Sequence, residues 1–144
     1  MTFDLEWAND PASGGITGSY DANVACVDGD GSLTVGTTTH HEGPGYYHAN
    51  NSRWWMLLDA MDDAGLLDYN DGDSGLPALK LQDNGGWHVT ADEVMAAIRS
   101  HRNHAWNALD YFKDEPSPEL CVEIWNAWIQ WMAASADHGG FRVY

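Results

Sequence analysis

Residues 117–136 read SPELCVEIWNAWIQWMAASA, and the spacing within this stretch decides the fold. Ser117 stands where a helix N-cap belongs, and Pro118 suits a first turn, where its missing N–H costs nothing. Cys121, Ile124, Trp125, Trp128, Met132 and Ser135 then recur at helical intervals. Leu120, Ala127 and Trp131 widen that stripe to well over a third of the helix circumference. A helix so apolar must be covered on at least two sides, so the rest of the chain is expected to wrap it.

Two preceding stretches supply covering helices. Asn51 or Ser52 can cap a helix in which Trp54, Leu57, Leu58 and Met61 form an inner stripe, with Gly65 as its stop. Thr90 and Glu93 have the spacing of a capping box. Behind them Val94, Ala97, Ile98, His101, Ala105, Ala108, Leu109 and Phe112 keep one face, which predicts a long helix ended by Asp114 to Pro118. The helices are therefore expected over 52–64, 91–113 and 118–135.

Strand signals lie at the ends of the chain. Phe3 to Trp7 and Phe141 to Tyr144 alternate apolar and polar residues, and each short strand needs a neighbour, so the two are expected to pair. Asn9 to Gly18 reads as loop. Asn23 to Val27 and Leu33 to Thr39, rich in Val and Thr, flank Asp28-Gly29-Asp30-Gly31 and predict a hairpin. His40 to Ala49 reads as a loop, Asn70 to Gly75 as an exposed turn, and Leu76 to Gln82 as a short strand or extended segment. The expected fold is a single α+β domain over 1–144. Three helices pack on a small, mainly antiparallel sheet that includes both termini and the hairpin.

The chain has 144 residues, an ordinary size for one domain and enough to bury about 70% of its unfolded surface. Eight tryptophans, six tyrosines and three phenylalanines give the core large, rigid parts, or mark a contact surface where they are exposed. Twenty-two acidic residues against six basic ones give a net charge of −16. Such a chain repels nucleic acid, nucleotides and anionic membrane, and attracts a basic partner. No run of Lys or Arg is present to neutralise phosphates, which argues against direct DNA or RNA binding. Cys26 and Cys121 make no disulfide framework, and the N-terminus has no basic or apolar signal segment. The longest apolar run, Trp54 to Leu58, is far short of a membrane span. A soluble, reducing, cytoplasmic setting is the expectation.

From Tyr47 onward the chain resembles a group of small proteins encoded by actinobacteria and their phages. The matching features are Asn51 to Met56, Gly86-Trp87 ahead of Thr90-Ala91, the tryptophans from Trp125 to Trp131, and the closing Phe141 to Tyr144. They span about two-thirds of the chain and bear on the fold. The group carries no activity over; it implies a source rich in phage and host-conflict genes, and a host cytoplasm if the gene is phage-encoded.

Three constellations could carry function. Asp59, Asp62, Asp63, Asp68, Asp71 and Asp73 fall close together with no basic residue among them. Like charges on one helix face cost stability, so a row kept despite the cost suits a basic partner surface. Trp54, Trp55 and Tyr69 could supply its desolvated anchors. Second, His40, His41 and His48 occupy one stretch, and His101 and His104 sit one helical turn apart. Together with Glu42 they could hold a divalent metal, although the spacing is not that of known zinc helices. A core histidine bonded to a carbonyl is the alternative for His101. Third, Arg99 and Arg102, one turn apart, could serve a tryptophan-walled pocket for a nucleotide-like molecule. Asp28-Gly29-Asp30 and Asp71-Gly72-Asp73 lack the register of calcium loops and read as turns. No G-x-S-x-G, P-loop or dinucleotide-binding glycine pattern occurs.

The function expected from sequence is a non-enzymatic acidic binding protein without a cofactor. It would occlude a basic surface on a nuclease, toxin or nucleic-acid-binding protein, as counter-defence proteins, DNA mimics and immunity proteins do. A small metal-dependent enzyme built on the histidines and a small-ligand binder built on the arginines are the alternatives.

Overall fold

The tryptophan-rich stretch forms helix α5 (Pro118–Ala134) of the computed structural model, which describes residues 2–9, 45–69 and 74–144. Pro118 opens it as expected. Ser117 stands at the cap position, but its side chain makes no capping bond. Cys121, Ile124, Trp125, Trp128, Trp131 and Met132 are buried along it. A short 3-10 turn, Ser135–His138, follows.

One layer of cover is a four-stranded antiparallel sheet in the order β2–β1–β6–β5. Strand β1 is Thr2–Trp7, β2 is Tyr46–Asn50, β5 is Trp87–Val89 and β6 is Phe141–Val143. The two ends of the chain do pair: Leu5 faces Val143 and Trp7 faces Phe141. Phe3, Leu5, Trp7, Tyr47, Ala49, Val89, Phe141 and Val143 point inward and are buried. The alternate residues form the outer face.

The second layer begins with helix α1 (Asn51–Asp63), which follows β2 without a loop. Asn50 caps it, accepting from Arg53 N at 2.8 Å. At the other end Gly65 takes φ 76°, while Gly65 N bonds Asp62 O and Leu66 N bonds Met61 O. This is the paired C-terminal closure in which glycine supplies the left-handed residue. Two short strands, β3 (Leu67–Asp68) and β4 (Leu76–Pro77), then pair in parallel and lead into the single turn α2 (Ala78–Leu81). Trp54 Nε1 donates to Leu81 O at 2.7 Å and ties this turn to α1. The capping box forms as read: Thr90 accepts from Glu93 N, and Glu93 accepts from Thr90 N, at the start of α3 (Ala91–Arg102). Glu93 also accepts from Lys80, whose ammonium donates to His88 O as well.

Three expectations need correction. The helix read over 91–113 ends at Asn103, and a separate turn α4 (Ala108–Tyr111) follows. Asn107 caps that turn and accepts from Asp110 N, so Leu109, read as buried, is 55% exposed. Tyr46 to Asn50 is strand rather than loop, and Leu76 to Gln82 is mostly a helical turn. The hairpin read over 23–39 lies outside the described residues.

Rings interlock at the centre. Trp54 and Trp128 meet edge to face at 5.2 Å, Phe3 stacks on Trp54 at 5.4 Å, and Phe141 meets Trp128 at 5.9 Å. Trp128→Ala should cost about 3–5 kcal/mol in urea unfolding, the range for emptying a buried tryptophan site. Gly140 has φ 84°, and a Cβ there would overlap the Val89 carbonyl. Gly140→Ala should therefore also destabilise, although it adds one methyl group and removes no side chain.

Candidate functional site

The inner stripe of α1 fixes its outer one. With Trp54, Leu57, Leu58 and Met61 buried, the 100° step of an α-helix turns Trp55, Asp59, Asp62 and Asp63 to solvent. Trp55 is 41% exposed, and its indole N–H bonds Asn51 one turn back at 3.0 Å. Asp62 and Asp63 occupy the last turn of α1, which contains no basic residue. Helix carbonyls make that end negative, so it favours cations, not carboxylates. Among the described residues none of the three aspartates makes an ion pair.

Aromatic groups bracket the row. On one side Tyr69, 60% exposed, hydrogen-bonds Asp62. On the other, the segment after α3 turns back over the end of α1. His101 Nδ1 donates to Ala64 O at 3.0 Å, and the His104 ring covers Gly65. Trp106 Nε1 donates to Asp63 Oδ2 at 2.7 Å. The Trp106 ring packs against Trp125 at 4.7 Å and Tyr111 at 5.6 Å. Partial burial raises the Tyr111 phenol above its ordinary range, and the charges of Asp59, Asp63, Glu115 and Asp62 raise it further. Tyr69 is raised by partial burial, then by its bond to Asp62 and the charges of Asp62 and Asp59. Two phenols from different parts of the chain thus lie in the field of one set of carboxylates.

The outer face of the sheet gathers a second polar group. His48 Nδ1 and Asp4 Oδ1 are 2.5 Å apart across β2 and β1. Tyr144 donates to Glu6 at 2.9 Å, and His88 Nε2 donates to Gly139 O at 2.8 Å. Arg142 lies between Glu6 and His88 in register. Partial burial and Glu6 raise the Tyr144 phenol, while Arg142 pulls it the other way.

Against this geometry the sequence-derived sites divide. Asp59, Asp62, Asp63, Trp55 and Tyr69 come together at the surface. Trp54 does not: it is wholly buried and cannot anchor a partner. Asp68 is also buried, at 6% exposure, and accepts from Ser74 N. Asp71, Asp73, His40 and His41 lie outside the described residues. His48 pairs with Asp4, while His101 is partly buried, meets both Trp106 and Trp125 edge-on and bonds the Ala64 carbonyl. His104 is exposed, with Nδ1 bonded to Ser100 O. Among the described residues no three of His, Cys, Asp and Glu converge as a metal would require, so His48, His101 and His104 do not form one site. Arg99 lines an open cavity of about 520 Å³ along α3 with Thr90, Asp92, Glu93, Met95 and Ala96; no tryptophan is among these. Arg102 is exposed beyond it.

Sequence reading missed Trp106 and Tyr111. Both fell within the stretch read as continuous helix, and the Trp106–Asp63 bond spans 43 residues, beyond any local signal. The Asp4–His48 pair was missed with strand β2.

No helix among the described residues is long and apolar enough to cross a membrane. No protein-family model, curated protein or solved structure matches this chain.

Tyr69 and Tyr111 should ionise above the ordinary phenol value of 10.0 when followed by phenolate absorbance. Both phenols hold their protons more tightly in the folded chain. The stability they contribute is complete below that pH and is lost as the pH rises through their folded values. Asp62→Asn should bring the Tyr69 titration back towards the ordinary value.

Proposed function

We propose that this chain is a non-enzymatic binding protein that occludes a basic surface on a partner protein with the outer face of α1. The observation that carries this reading is the placement of negative charge. Asp62 and Asp63 sit at the helix end whose dipole opposes them, Asp59 lies one turn away, and no cation in the described residues answers any of them. Acids at i, i+3 and i+4 repel one another. A helix stabilised for its own sake would carry lysine or arginine there. A basic partner removes both costs at once.

The surroundings support the same reading. Trp55, Tyr69, Leu109 and Tyr111 are exposed large apolar side chains, of which Trp55, Tyr69 and Tyr111 lie at the aspartate row. Interfaces draw most of their energy from such rings, while charge steers the encounter and sets specificity. The net charge of −16 adds long-range attraction for a basic surface. An inhibitor, DNA mimic or immunity protein works by this combination.

Purified protein used as bait at low ionic strength should retain a partner that elutes as salt rises, because exposed charges are screened within about 8 Å at physiological salt. Asp59→Lys, Asp62→Lys and Asp63→Lys combined should lose that partner while keeping helix content. Equal retention on both baits would remove α1 from the proposal. Asp59→Asn should show the trade-off behind the row: about 0.3 kcal/mol more stable to urea, yet a weaker binder.

A further inference from the structure

Resting on that reading, we infer that the outer face of α1 selects arginine over lysine on its partner, with Tyr111 as the stacking ring and Asp59 and Asp63 as the carboxylate acceptors. The aromatic rings are an observation separate from the acidity. Tyr111 is 37% exposed, whereas its neighbour Phe112 is 1% exposed. Trp106 is half-buried, and its indole N–H is held by Asp63, so the plane of the ring is fixed relative to that carboxylate. Tyr111 tilts 41° against Trp106 and lies within the field of Asp59 and Asp63. The exposed Tyr111 ring is therefore held, through Trp106, beside the Asp63 carboxylate, on elements packed against the core through Trp125.

The two basic side chains use such a surface differently. A lysine ammonium is a compact, strongly hydrated point charge that gains mainly from the carboxylates. A guanidinium is planar and weakly hydrated; it stacks on an aromatic face while forking to a carboxylate at its edge. A purely acidic helix would treat the two nearly alike, whereas this face adds the ring contact that only arginine exploits fully.

The probes are an oligo-arginine and an oligo-lysine peptide of equal length, titrated into the whole protein by calorimetry at one low ionic strength. The arginine peptide should bind about tenfold more tightly. Tyr111→Leu should bring the two affinities together at the lysine level, and Tyr111→Phe, which keeps the ring, should preserve the gap. Circular dichroism checks that each variant stays folded. Equal, salt-sensitive binding of both peptides, lost in the triple lysine variant, would overturn the arginine preference and leave the occlusion reading standing. A preference that survives Tyr111→Leu or the triple variant would overturn it as well, by placing the contact elsewhere. Binding of neither peptide would sink both readings together.

Discussion

The edge-to-face contact between Trp54 and Trp128 governs the rest of the molecule. It fixes the rotation of α1 about its own axis. With Trp54 wedged between Phe3 and Trp128, and its indole N–H held by the Leu81 carbonyl, α1 cannot turn without breaking an aromatic stack and a buried hydrogen bond. Emptying such a site costs several kcal/mol, roughly ten times the cost of one repulsive charge pair on a helix surface. The core therefore dictates which residues face water, and the aspartates have to take what remains. Trp55 illustrates the point. It differs from Trp54 only by one step along the helix, and that step puts one ring at the centre of the core and the other in solvent.

Local devices make the outcome tolerable at the end of α1. The glycine closure at Gly65 satisfies two carbonyls with backbone N–H groups. His101 takes the Ala64 carbonyl. Tyr69 and Trp106 each bond one of the two terminal aspartates. The phenol and indole donors on the aspartates lower the local cost without supplying positive charge. Among the described residues the acidic end is thus hydrogen-bonded but makes no ion pair.

Much of this architecture could be read from the chain because it is encoded locally. The α5 stripe, the Thr90–Glu93 box and the Gly65 stop each lie within one element, and the alternation at the two chain ends was strong enough to foresee their pairing. The failures were non-local or ambiguous. Apolar periodicity continues through Ala105, Ala108 and Leu109, so nothing in the spacing announces the break at Asn103; the break comes from Trp106 reaching across to Trp125 and Asp63. Tyr46 to Asn50 alternates correctly, but it runs straight from a glycine- and proline-rich stretch into a helix cap, leaving a strand too short to stand out. Trp54 was read both as core and as anchor, and helix geometry allows it only one of these. Asp68 lies close in sequence to exposed aspartates, yet strand pairing with Leu76–Pro77 turns it inward.

The sheet's outer face tests whether polar groups alone argue for chemistry. It holds two imidazoles, two carboxylates, a guanidinium and two phenols, more catalytic vocabulary than the α1 face offers. Most of these groups are already engaged with one another. Asp4 holds His48, Glu6 holds Tyr144, and His88 is bonded to a backbone carbonyl. Cross-strand pairs of this kind are the ordinary means by which an antiparallel sheet satisfies its solvent face. On α1 the relation is reversed. Neutral donors meet Asp62 and Asp63, but no ion pair among the described residues does, in a helix position where positive charge would have been favoured. Charge answered within the molecule stabilises the fold; the α1 aspartates, which no ion pair among the described residues answers and which sit at a cost to their own helix, are what the proposed occlusion of a basic surface would use.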